Sequence, residues 1–69
     1  MKYILFTKNT DGTIASEIEY KSLRKISQDL DSTYCSVYEC FLFNEGEKQA
    51  PKKMSQVRFN KKYQIKAKA

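Results

Sequence analysis

The chain has 69 residues, of which 41% are hydrophobic and 13% aromatic, with two Gly and one Pro. That length allows one domain at most, and that composition belongs to folding chains, not disordered ones. There are 13 Lys and Arg, 8 Asp and Glu, two Cys and no His; the usual general base is missing and two thiols alone do not make a zinc site, so the expectation is a non-enzymatic protein without metal or cofactor.

Residues 2–8 are rich in β-branched and aromatic side chains and read as a strand. Asp11-Gly12 is a hairpin signal, because both residue types accept positive φ. Residues 13–20 alternate, with Ile14, Ser16, Ile18 and Tyr20 on one side and Ala15, Glu17 and Glu19 on the other. This predicts a half-buried strand, so residues 1–20 form a β-hairpin.

Residues 22–43 come next. Ser22 can cap a helix, and Leu23, Ile26 and Leu30 recur at i, i+3 and i+7 on one helical face. Asp31 tolerates the left-handed conformation needed to leave a helix sharply. Thr33 is a second cap, and Val37, Cys40 and Phe41 line one face of a second helix. Against that stands the density of strand formers in residues 34–43. As a strand, this segment would make a ββαββ fold with a four-stranded antiparallel sheet and one helix.

Residues 44–56 are polar, contain Gly46 and Pro51, and read as a loop. Val57, Phe59, Lys61, Tyr63 and Ile65 then alternate with Arg58, Asn60, Lys62, Gln64 and Lys66, which predicts an amphipathic strand over 57–66 and a tail over 67–69. The expected architecture is α+β: an N-terminal hairpin, two short helices, and a C-terminal basic strand closing a three-stranded sheet.

Charge is segregated. From Lys48 onward there are eight bases and no acid, a net +8, whereas residues 1–47 hold five bases and eight acids, a net −3. A basic segment of this kind attracts phosphate by counterion release without reading sequence.

Residues 22–41 resemble a DNA-binding helix-turn-helix of the pattern x-Leu-x-x-Ile-Ala-x-x-Leu-Gly-x-Ser-x-x-x-Val. Ile26 and Leu30 match the apolar positions of the first helix, Thr33 the Ser that caps the second, and Val37 its buried anchor. Ser27 stands where the pattern has Ala, and Asp31 where it has Gly. The resemblance implies that the second helix enters the major groove and presents Thr33, Tyr34, Cys35, Tyr38 and Glu39. Glu39 can accept from cytosine, and the tyrosines can meet phosphate or thymine methyl groups. No Arg, Asn or Gln lies among these positions, although those are the commonest base readers. Lys52 and Lys53 at the loop exit, with Arg58, Lys62 and Lys66 as a stripe repeating every ~7 Å on one strand face, are the expected phosphate contacts.

Duplex DNA is thus the expected partner, ahead of RNA. Two alternatives stay open. The chain is similar in style to small phage- or virus-encoded accessory proteins, which implies a host-protein inhibitor with Tyr34, Tyr38, Phe41 and Phe43 as its contact patch. Aromatics interleaved with lysines over 58–63 also suit single-stranded nucleic acid on a sheet, if 34–43 is a strand.

A core this small supplies only ~3–5 kcal/mol, so dimerisation or a partner is a natural source of stability. No apolar run approaches the ~20 residues that span a bilayer, and a cytoplasmic location without membrane contact is expected. Cys35 and Cys40, five apart, do not converge on a helix or on a strand, and read as small packing residues. The acidic pairs Glu17/Glu19 and Asp29/Asp31 read as a solvated strand face and a turn, since carboxylates need a pocket to become catalytic.

Overall fold

The structure is a computed structural model that describes residues 2–46 and 51–68. In chain order it contains β1 (Lys2–Lys8), β2 (Ile14–Tyr20), α1 (Leu23–Asp29), α2 (Tyr34–Asn44), α3 (Met54–Lys62) and β3 (Tyr63–Lys68). The strands form one antiparallel sheet in the order β2-β1-β3, so the expected α+β class with a C-terminal strand closing a three-stranded sheet is observed. The four-stranded alternative is not, because residues 34–44 are helical.

The hairpin is closed by a loop whose polar side chains bond to one another. The Asn9 amide donates to the Thr13 carbonyl at 2.8 Å, and Asp11 Oδ1 accepts from the Thr13 amide at 3.0 Å and its hydroxyl at 2.7 Å. These bonds hold the Asp11 carboxyl below its ordinary pKa. Gly12 alone takes the positive φ, at 89°, and Asp11 does not need it.

The entries of α1 and α2 are each fixed by a side chain. Ser22 Oγ accepts from the Lys25 amide at 3.1 Å, and Thr33 Oγ1 from the Ser36 amide at 3.2 Å. Between them α1 ends in a left-handed turn. Asp31 has φ 52°, its amide donates to the Gln28 carbonyl at 3.2 Å, and the Ser32 amide donates to the Ser27 carbonyl at 3.0 Å. This is a Schellman arrangement, which satisfies the last helical carbonyls while reversing the chain. Gly46, at φ 79°, ends α2 by the same left-handed route.

The core is Leu5, Leu23, Ile26, Val37, Cys40 and Ile65, flanked by Tyr3, Tyr20, Leu30, Phe41, Phe59 and Tyr63. It joins both helices of the α1–α2 pair to the two strands β1 and β3. Ser27 is buried, and its hydroxyl donates to the Arg24 carbonyl at 2.6 Å, so this buried polar group is satisfied.

Two expectations are corrected. The strand expected over 57–66 begins only at Tyr63, because residues 54–62 form α3. Met, Gln, Arg and Lys favour a helix there, Gln56 Nε2 donates to Asn60 Oδ1 one turn on at 2.9 Å, and Lys61 and Lys62 lie in the last turn, where cations suit the helix dipole. Helix passes into strand at Tyr63 with no Gly or Pro between, so the alternation ran across the boundary unmarked. Of the loop expected over 44–56, residues 47–50 lie outside the described residues, Asn44 belongs to α2 and Met54–Gln56 to α3. Of the tail expected over 67–69, Ala67 and Lys68 belong to β3 and Ala69 lies outside the described residues.

The second correction concerns β2. It was expected to be half-buried, but it is an edge strand exposed along nearly its whole length, with Ile14 at 47% and Ile18 at 48%. The helices cover β1 and β3, and of the apolar side of β2 only Tyr20 packs against the core.

The interhelical seam generates two predictions. Ile26→Ala empties a fully buried site and should cost about 2–5 kcal/mol, as much as the whole core supplies, leaving the chain mostly unfolded by circular dichroism at room temperature. Asp31→Gly relieves the left-handed residue and should raise stability by about 0.5–1 kcal/mol in a urea titration.

Candidate nucleic-acid interface

The sequence-predicted residues separate into three groups in space. Thr33, Cys35, Glu39, Lys52 and Lys53 line one cleft of about 380 Å³ between the first half of α2 and the start of α3, together with Ser36, Pro51, Ser55 and Gln56. α3 is held there by Gln56, whose Nε2 donates to the Ser36 carbonyl at 3.0 Å. Thr33 lines the cleft but is engaged as the α2 cap, with its hydroxyl also 3.0 Å from Ser36 Oγ.

Tyr34 and Tyr38 form the second group. One turn apart on α2, their rings stack with centroids 6.0 Å apart and planes at 11°. Both are 43% exposed, so they are surface aromatics and not core. The Arg24 guanidinium lies 5.5 Å from the centre of the Tyr34 ring, which continues the stack onto α1 as a cation–π contact.

Arg58 and Lys62 form the third group. They do not belong to a strand stripe with Lys66. They lie one turn apart on α3, on the helical stripe that begins with Ser55 at the cleft. Lys66 stands on β3 opposite Ile4, on the sheet face that points away from the core. It is separated from the cleft by the thickness of the sheet and is removed from the candidate interface.

On α2, the cleft residues Cys35 and Glu39 each follow an exposed tyrosine, Tyr34 and Tyr38. On α3, Ser55 lines the cleft and begins the stripe of Arg58 and Lys62, and Lys62 lies beside Lys8, Asn9 and Thr10 of the hairpin. Arg24, Ser36, Ser55 and Gln56 were not singled out from sequence. Arg24 was legible as a cation on the solvent side of the Leu23–Ile26–Leu30 face. Ser55 and Gln56 were hidden by the misplaced loop.

The two thiols differ sharply. Cys40 is fully buried, Asn44 Nδ2 lies 3.4 Å from its Sγ, and burial pushes its pKa up to about 11. Cys35 is exposed in the cleft wall. The packing role expected for both fits Cys40 alone. Native protein treated with iodoacetamide near neutral pH should therefore label at Cys35 and stay unlabelled at Cys40, as read by peptide mass mapping; equal labelling would mean that the core opens readily.

Elsewhere the perturbed groups are structural. Burial and a hydrogen bond to Asp29 raise the Tyr20 hydroxyl. On the far sheet face Lys68 holds the Glu19 carboxyl below its ordinary value and is itself raised by it. By linkage, Glu19 contributes stability that fades as pH falls through its lowered pKa, and Lys68 contributes stability that fades as pH rises through its raised one. Both groups are exposed, so the contribution is small. Among the described residues no cluster could hold a metal ion, and no helix is long and apolar enough to cross a membrane. No family model matches the chain, and no curated protein or solved structure matches it significantly.

Proposed function

We propose that this protein binds duplex DNA, with α2 entering the major groove and the α3 stripe resting on the phosphate backbone. The observation that carries this is the α1–turn–α2 unit, in which a Thr33-capped helix leaves Tyr34, Cys35 and Tyr38 exposed, with Cys35 in the cleft that Lys52 and Lys53 also line. A helix-turn-helix reads bases from the N-terminal residues of its second helix, and those are the residues left uncovered here. The helical state of residues 34–44 removes the basis of a four-stranded platform for single strands. Tyr34, Tyr38 and Phe43, all exposed, equally suit a protein partner such as a host target of a virus-encoded inhibitor.

Lys52, Lys53, Arg58 and Lys62 supply the phosphate contacts in this proposal, and Arg24 positions Tyr34. With four contacts, log K should fall against log salt with a slope of roughly −3 to −4, and Lys52→Ala with Lys53→Ala should reduce that slope by about 2. Fluorescence anisotropy with a random-sequence duplex at about 50 mM salt is the direct check, since phosphate attraction is strong there. Absence of binding under those conditions, with recovery of one stoichiometric protein partner that resists nuclease, would replace DNA by the protein-partner reading.

A further inference from the structure

The C-terminal end of α3 and the turn of the hairpin enclose a second cleft, of about 300 Å³, lined by Lys8, Asn9, Thr10, Lys61 and Lys62. Strand register builds it. Thr7 stands opposite Tyr63 at the end of the β1–β3 ladder, so the next residues, Lys8 and Lys62, leave the sheet as neighbours. A register shift against β2 falls between Thr7 and Lys8, the kind of irregularity that re-aims a side chain. Asn9 and Thr10 follow in a turn held by two bonds. The Gly12 amide donates to the Asn9 carbonyl at 3.0 Å, and Asn9 Nδ2 donates to Thr13 Oγ1 at 3.0 Å.

Three cations thus meet in one concavity with no acid in its wall. Lys2, Lys25 and Lys68 each meet a carboxylate, whereas Lys8, Lys61 and Lys62 have no ion-pair partner among the described residues. Like charges gathered in this way repel, so the arrangement by itself costs stability. The helix dipole accounts for Lys61 and Lys62 in the last turn of α3, but not for Lys8, which comes from the other end of the chain. The Thr10 amide and hydroxyl add donors, and neither has a hydrogen-bond partner among the described residues. The first cleft differs, because Glu39 shares its wall with Lys52 and Lys53.

We infer that this second cleft binds a phosphate group, with Lys8, Lys61 and Lys62 neutralising it and Thr10 donating hydrogen bonds to its oxygens. A bound anion turns the repulsion among the lysines into attraction, and three full charges outweigh the partial negative charge, about half a unit, of the helix end. Lys61 and Lys62 are exposed, so free phosphate binds only in the millimolar range. The site stands on its own geometry and rests on the duplex reading only for the source of the phosphate. Lys62 belongs to both the α3 stripe and the cleft, so a DNA backbone lying on the stripe reaches the cleft at the hairpin end of α3.

Amide NMR of the whole chain tests it, with inorganic phosphate titrated against sodium chloride at matched ionic strength. Saturable shifts should concentrate at Lys8, Thr10, Lys61 and Lys62, with Lys66, an exposed lysine on the far sheet face, unmoved. Lys8→Gln with Lys61→Gln keeps the aliphatic stems, and its folding is checked by far-UV circular dichroism. This variant should lose those shifts and bind a duplex about fivefold more weakly, the sum of two exposed charge pairs. Lys66→Gln should change neither. Saturable phosphate shifts without duplex binding would keep the site and remove nucleic acid as the source. Shifts that are absent, spread evenly over all the lysines, or unchanged in the double variant would overturn the inference, whether or not the duplex binds.

Discussion

Everything else in this fold depends on the contact between the α1–α2 pair and the middle of the sheet. Ile26, Val37, Cys40 and Ile65 have no exposed surface, and they come from two consecutive helices and from β3, which is distant from them in sequence. So few residues form the core that none is redundant. Cys40 shows how closely they fit: its sulfur packs where a longer side chain would meet β3, and it lies 3.5 Å from the Tyr63 carbonyl. The position of α2 on the sheet, and so the direction in which its tyrosines point, is set by this packing.

Two local devices make that position specific. The Schellman turn at Asp31 fixes the angle at which the chain leaves α1, and the Thr33 cap fixes where α2 begins. α3 is then tied back to α2 through the bond from Gln56 to the Ser36 carbonyl. The α2 wall of the cleft therefore follows from the helix ends, and its α3 wall from one amide side chain, with Lys52 and Lys53 in the segment just before α3. One cost is visible at this junction: Asn60 Nδ2 is buried without a hydrogen-bond partner. Its other amide atom serves the Gln56 contact, so the side chain cannot satisfy both ends in this packing.

The parts of the molecule that were legible in the sequence are those with strong local signals. The Asp11-Gly12 turn, the caps Ser22 and Thr33 and the spacing of Leu23, Ile26 and Leu30 each state their structure within a few residues. For residues 34–43 two signals conflicted. Strand propensity lost because a capped helix at this spot buries Val37 and Cys40 against the sheet, and tertiary packing outweighs propensity. Residues 57–62 were misread because the apolar positions Val57, Phe59, Tyr63 and Ile65 match a two-residue period while two elements share them. Only the first two belong to α3. That misreading carried Lys66 into the candidate site and kept Gln56 out. The exposure of β2 was not legible at all, since edge position depends on which strand pairs where.

The central claim is that α2 and the adjoining start of α3 form the surface this protein uses on duplex DNA. The most direct measurement is a residue-resolved amide NMR titration with a short duplex at low salt. The account predicts shifts concentrated at Tyr34, Cys35, Tyr38, Lys52, Lys53 and Arg58, with Ile4, Glu17 and Lys66 on the far sheet face unmoved. Shifts concentrated on that sheet face, with α2 silent, would contradict it.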